Sequence, residues 1–273
     1  MDERICTNCG EPVSRTYCGA CSQRYVPLDT LGYQTLVGDY FRAAFEEFRW
    51  PRTLWTLVRY PGKLTTEYLS GRRRSQVNPL LLLFVLLSLS IWVTGFYTFT
   101  VNDVLDTVEQ DLPPSMLDWV REFEKWGDLS KRLSTFAMGI VVNPFLFWLV
   151  LRRKEPRLFA HTIFALHLVS FTTLANCMTT LFVVLFYNTA ESTTMLNRLG
   201  AGLWVVNWAY ALVSARRFYE LTWRKTLTAN AAVFGFYCLG VMAIGIAIGL
   251  YLVQSGIGAE WLEYIKTHQP PSQ

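Results

Sequence analysis

The chain has 273 residues, of which 52% are hydrophobic, 15% aromatic and 17% charged, with a formal net charge of +4. An ordinary soluble domain carries roughly 25% charged residues, and here the charge is missing from long blocks rather than thinned evenly. A soluble core is assembled from amphipathic segments, whereas PLLLLFVLLSLSIWVTGFYTF is apolar on every face, so the composition excludes an ordinary soluble domain and points to a bilayer as solvent.

Residues 1–26 read as a small metal-binding head. Cys6, Cys9, Cys18 and Cys21 form two CxxC turns separated by eight residues, a spacing that lets four thiolates surround a zinc ion tetrahedrally. Gly10 follows the first pair, where a residue without Cβ helps backbone amides approach the sulfurs. Four protein ligands leave no open position for a substrate, so the site is structural, and no thioredoxin-like unit accompanies either CxxC. Residues 1–30 lack the apolar run of a signal peptide, which leaves the head in a reducing cytoplasm, where paired CxxC turns bind metal. Its charges are mixed, Asp2, Glu3 and Glu11 beside Arg4, Arg15 and Arg24; this is no footprint for nucleic acid and favours a protein partner. Cys177 and Cys238, inside apolar segments, read as packing residues.

Residues 27–78 form an amphipathic cytoplasmic collar. Leu36, Val37, Tyr40, Phe41, Ala44, Phe45 and Phe48 recur at helical spacing, and a second stretch mixes Trp55, Tyr60 and Tyr68 with Arg52, Arg59 and Lys63. Such segments either lie in the headgroup plane or pack on the cytoplasmic ends of the membrane helices. Arg72, Arg73 and Arg74, just before the first apolar run, read as a topology anchor that also meets anionic headgroups.

The expected architecture is an all-α polytopic membrane protein over residues 79–254, followed by a periplasmic tail at 255–273. Five spans are predicted at 79–101, 133–151, 158–187, 195–215 and 227–253, each long enough for a hydrocarbon core of ~30 Å at ~1.5 Å per residue. Of the 25 basic residues, 19 precede the first span or lie in the 152–157 and 216–226 loops, and 6 fall on the other side. By the positive-inside rule the amino terminus is cytoplasmic and the carboxyl terminus periplasmic, in a bacterial inner membrane. Four spans with an interfacial segment are the rival arrangement.

Polar residues at depth form the candidate intramembrane site. His161 and His167 stand six residues apart, roughly 120° around a helix, so one helix cannot present both to a single metal. His161 is expected near the inner interface and His167 about two turns deeper, as a functional group or a helix-to-helix hydrogen bond. Asn143, Asn176 and Asn207 add polar groups, and Pro144 predicts a kink. Gly235, Gly240, Gly245 and Gly249 fit close helix approach in the last span. No catalytic constellation is present.

Together, Cys6 to Cys21, Pro61-Gly62, Gly71-Arg72-Arg73 and the run Phe159, His161, Phe164, Ala165, Leu166, His167 resemble a family of bacterial membrane proteins of unknown function. Ala160 stands where that family tends to carry an acidic residue, which argues against a charge relay there. The resemblance implies the architecture and no activity. The leading expectation is a non-enzymatic scaffold, sensor or regulator whose zinc head contacts a cytoplasmic partner, with oligomerisation left open. The alternative is a transporter or channel for a small solute with a polar path near His167.

The charge distribution makes a direct prediction. Reporter fusions at Gln273 and within residues 103–128 should both register outside the cell, and a cytoplasmic signal at Gln273 with an outside signal at 110 would select four spans instead.

Overall fold

The computed structural model describes residues 4–43, 49–95, 137–186 and 189–254. At the amino terminus, β1 (Arg4–Ile5) pairs antiparallel with β2 (Pro12–Val13), Arg4 opposite Val13 and Ile5 opposite Pro12. Eight α-helices follow among the described residues: α1 (Tyr33–Ala43), α2 (Trp50–Arg59), α3 (Lys63–Leu69), α4 (Pro79–Gly95), α5 (Asn143–Leu151), α6 (Leu158–Phe186), α7 (Thr189–Phe218) and α8 (Trp223–Gln254). The chain divides into two compact units, Met1–Tyr97 with Phe136–Ala231, and Thr98–Thr135 with Ala232–Gln273. Of the second unit the described residues are 232–254, the carboxyl-terminal part of α8.

The first unit is organised around α6. Every residue from Phe159 to His167 is buried, as suits a segment with no polar face, so α6 needs partners on all sides. It finds them in α3, α4, α5 and α7. Leu36, Tyr68, Leu83, Ile163 and Leu166 make one cluster; Leu57, Leu64, Leu82, Phe171 and Tyr210 make another, in which the Phe171 and Tyr210 rings stack at 3.5 Å.

The collar is packed on this bundle through Leu36, Leu57, Leu64 and Tyr68, all buried, while Trp55 on the opposite face of α2 is exposed. The side chains of Phe41, Ala44, Phe45 and Phe48 lie outside those described. Side-chain hydrogen bonds pin the collar to the backbone of its neighbours. The Val77 amide donates to Thr53 Oγ1 (3.0 Å), Asn78 Nδ2 donates to the Leu36 carbonyl (2.8 Å), and the Tyr210 hydroxyl donates to the Leu57 carbonyl (2.7 Å). Asn78 Oδ1 also accepts from the Leu80 amide (2.9 Å), capping the start of α4 beside Pro79. Between α2 and α3, Gly62 turns at φ +82°, and a Cβ there would lie 2.9 Å from the Ser214 carbonyl oxygen of α7. Only glycine permits both that turn and that approach.

Two helices, α6 over Leu158–Val183 and α8 over Trp223–Tyr251, are long and apolar enough to cross a membrane. The apolar runs Pro79–Val93 and Ile140–Leu151 are shorter, so the five predicted spans reduce to two that meet both criteria among the described residues. Residues 96–101 of the first predicted span and 133–136 of the second lie outside the described residues. A π-helical turn at Met138–Val142 leads into Asn143 and Pro144, where the kink was expected. The predicted 195–215 span lies inside α7, which is long but carries Asn197, Arg198 and Asn207. Along α8, Ile244, Ile246, Leu250 and Val253 are exposed. A Cβ at Gly235, Gly240, Gly245 or Gly249 would meet nothing within 4 Å, so the close approach expected of these glycines is not made among the described residues. The expected outer loop at 103–128 and the tail at 255–273 also lie outside them.

Candidate metal centre

The two CxxC turns fold as copies of one another. In the first, the Gly10 amide donates to the Cys6 carbonyl (2.9 Å) and the Cys6 amide to the Glu11 carbonyl (2.8 Å). In the second, the Ser22 amide donates to the Cys18 carbonyl (2.9 Å) and the Cys18 amide to the Gln23 carbonyl (2.9 Å). Both turns leave through the left-handed region, at φ +83° for Gly10 and +56° for Ser22. Glycine marks the first exit in the sequence; serine conceals the second.

This duplication brings all four sulfurs together within 4.8 Å of one another. Cys6 and Cys21 Sγ stand 3.6 Å apart, and Cys9 and Cys18 Sγ 3.5 Å apart. Four sulfurs at about 2.3 Å from a tetrahedral ion would be separated by about 3.8 Å, so the cluster fits a metal without rebuilding. Cys6 and Cys18 are buried against Val13 and Tyr25, whereas Cys9 is exposed. The Cys21 amide, against desolvation and with help from the Ala20 amide, draws the Cys18 thiol down to about 7. The Glu11 amide favours the Cys9 thiolate, yet desolvation and the sharing of protons with the other three sulfurs hold that thiol up at about 12. Desolvation also raises the Cys21 thiol. One sulfur is thus ready to ligate near neutral pH, and others must surrender protons to a metal.

The cluster is clamped to the collar by the carboxamide of Gln23, which is buried and makes four hydrogen bonds. Its Nε2 donates to the Gly71 carbonyl (2.8 Å) and to Thr7 Oγ1 (3.0 Å), while its Oε1 accepts from the Arg73 and Arg74 amides (3.1 and 3.0 Å). Thr7 Oγ1 in turn donates to the Gly71 carbonyl (3.0 Å). Gly71, at φ +87°, closes the fit: a Cβ there would lie 2.6 Å from Thr7 Oγ1 and 2.9 Å from Leu28 Cδ2. The Arg73 guanidinium is buried between the Asp39 carboxylate and the Arg24 carbonyl, the latter accepting from Nη2 at 3.0 Å. Arg72 is exposed and Arg74 half-buried, so the arginine run divides its side chains between solvent and protein. Gln23 and Asp39 had no local signature; each acts on a segment far along the chain.

The candidate intramembrane residues are not gathered into one site. His161 is fully buried: its Nε2 donates to the Glu155 carbonyl (2.9 Å), so in the neutral ring Nδ1 accepts from the Tyr219 hydroxyl (2.7 Å). His161, expected near the inner interface, is enclosed by Tyr219 and the loop before α6. His167 faces Thr65, Nδ1 to Oγ1 at 3.0 Å, and its Nε2 is buried without a partner. Asn143 is half-buried, Asn176 is exposed and Asn207 Oδ1 is buried without a partner. Among the described residues no hydrogen bond joins any two of these five.

Comparison with known proteins adds one finding. Residues 49–91 match a family described as protein of unknown function, DUF3667. The match runs from the start of α2 through Gly62 and the Gly71–Arg74 loop into α4, and includes neither the cysteines nor the two histidines. No curated protein and no solved structure matches the chain.

The purified protein should carry one metal ion per chain by elemental analysis, absent from a Cys9→Ser, Cys18→Ser double variant. Because Cys9 and Cys21 hold protons that the metal displaces, metal affinity should fall as pH is lowered; affinity independent of pH, or metal retained by the double variant, contradicts this assignment. Among the histidines, His161→Ala removes two hydrogen bonds and a stacked ring contact with Tyr219, whereas His167→Ala removes one bond. The first should destabilise by about 3 kcal/mol and the second by about 1 to 2 kcal/mol in detergent melts, and the reverse order would show that burial misleads here.

Proposed function

We propose that this is a non-enzymatic inner-membrane protein whose cytoplasmic head, closed by zinc, serves as a scaffold, sensor or regulator for a cytoplasmic protein partner. The observation that carries the reading is the Gln23 clamp, which joins a four-cysteine site to the loop leading into α4. Four thiolates favour zinc and leave it no vacant position, which suits a fold-holding role and not catalysis. The clamped side of the head is committed to the collar, while Ile5, 61% exposed, remains available for contact. A long apolar helix with exposed Ile244, Ile246, Leu250 and Val253 suits lipid better than water, which supports membrane residence. The basic excess before α4 supports a cytoplasmic head. The five-span topology with a periplasmic tail is part of this proposal. The solute-transport reading draws no support from His167, whose imidazole is enclosed between Thr65 and its own helix bundle.

The test is contact made in living cells. A photo-crosslinking residue in place of Ile5 should trap a discrete protein adduct in the wild-type background, and the Cys9→Ser, Cys18→Ser background should lose it. Absence of any adduct from Ile5, together with solute flux catalysed by the purified protein in liposomes, would replace the scaffold reading with the transporter.

A further inference from the structure

The last turn of α7 joins two basic segments. On one side it packs on the turn between α2 and α3, where a Cβ at Gly62 would lie 3.5 Å from Arg217 Cβ. Beside Gly62, the Tyr60 ring has the Lys63 ammonium 4.9 Å and the Arg59 guanidinium 5.9 Å from its centroid. On the other side the chain passes Glu220 into α8, which opens on Trp223, Arg224 and Lys225. The Arg216 guanidinium lies 4.3 Å from the Trp223 ring centroid. Lys63 is held by Glu67 at 3.8 Å. Among the described residues no carboxylate stands within ion-pairing distance of Arg59, Arg216, Arg217, Arg224 or Lys225, all of them exposed.

We propose that this patch binds the headgroups of anionic phospholipids, with Trp223 seated at the membrane interface and Arg217, Arg224 and Lys225 meeting the lipid phosphates. The inference rests on the membrane residence proposed above, and on neither the metal nor the protein partner. Its position decides the class of ligand. Trp223 is 48% exposed and is the first residue of Trp223–Tyr251, the stretch of α8 long and apolar enough to cross a membrane. The end of a spanning helix lies at headgroup level, where tryptophan is enriched and anionic lipid attracts Lys and Arg. The charge decides its sign, and guanidinium forks match phosphate oxygens in geometry as well as in charge. An acidic protein segment would answer the same charge, but it gives no reason for an exposed tryptophan at the limit of an apolar span. Arg59 and Lys63 bring the collar into the patch, so headgroups gathered there meet the α2–α3 turn as well as the helix ends.

Full-length, metal-loaded protein is first recovered from alkali-washed membranes, then reconstituted in mixed vesicles of phosphatidylcholine and phosphatidylglycerol. The enrichment of phosphatidylglycerol among lipids that stay with the protein through detergent extraction is measured at low and high salt. Enrichment that high salt suppresses is expected. Arg217→Gln should lower it about fivefold, and Arg224→Gln with Lys225→Gln by about that factor for each charge removed. Arg15→Gln, on the exposed surface of the head, should leave it unchanged. Membrane-embedded protein that shows no enrichment, or enrichment that the Arg217, Arg224 and Lys225 variants retain in full, overturns the inference and leaves the membrane reading standing. Binding of polyglutamate by the solubilised protein, without phosphatidylglycerol enrichment, overturns it in favour of an acidic protein segment. A chain that alkali releases from the membrane overturns the membrane reading, and this inference with it.

Discussion

The carboxamide of Gln23 ties the cysteine cluster to the rest of the molecule. A side-chain amide has two donor hydrogens and an acceptor oxygen with two lone pairs, and all four are used here, on Thr7, Gly71, Arg73 and Arg74. The loop that receives it can do so because Gly71 has no side chain to fend off Thr7 and because Arg73 is turned inward onto Asp39. Without this arrangement the head would be a separate bead on a tether. With it, the cysteine cluster and the entry into α4 form one continuous hydrogen-bonded structure.

A second set of contacts does for the helices what Gln23 does for the head. Thr53, Asn78 and Tyr210 each bond a backbone group on another segment, and each sits at the edge of an apolar cluster in which an unpaired polar group would be expensive. The Glu155 carbonyl, His161 and Tyr219 form a further chain, linking the loop before α6, the helix itself and the residue that follows α7. Because a carbonyl only accepts, Nε2 of the imidazole carries a proton. His161 sits near the start of the stretch Phe159–His167, in which every residue is buried.

What was legible in the sequence follows the range of each interaction. The cysteine cluster could be read because a CxxC turn is closed by hydrogen bonds within five residues, and the long apolar helices because hydropathy is carried by neighbouring residues. The helical character of the collar was legible for the same reason, but its packing was not. An amphipathic face is equally consistent with a headgroup layer and with a protein surface, and only the partners Leu82 and Phe171 distinguish them. The arginine run looked like a charged anchor because no local pattern reveals that Arg73 has Asp39 and Arg24 waiting for it. The same blindness hid Tyr219, which encloses His161.

The order of the pieces along the chain has a bearing on how the protein is made. The four clustered cysteines lie within the first 21 residues, whereas Gln23 meets Gly71 across a separation of 48 residues. As the polypeptide leaves the ribosome, the two cysteine turns can close before their docking loop has been synthesised. The loop then emerges immediately ahead of the apolar α4. Vectorial synthesis thus delivers the cysteine turns to a receptor that is still being built, and the full clamp can form only once Arg74 has emerged.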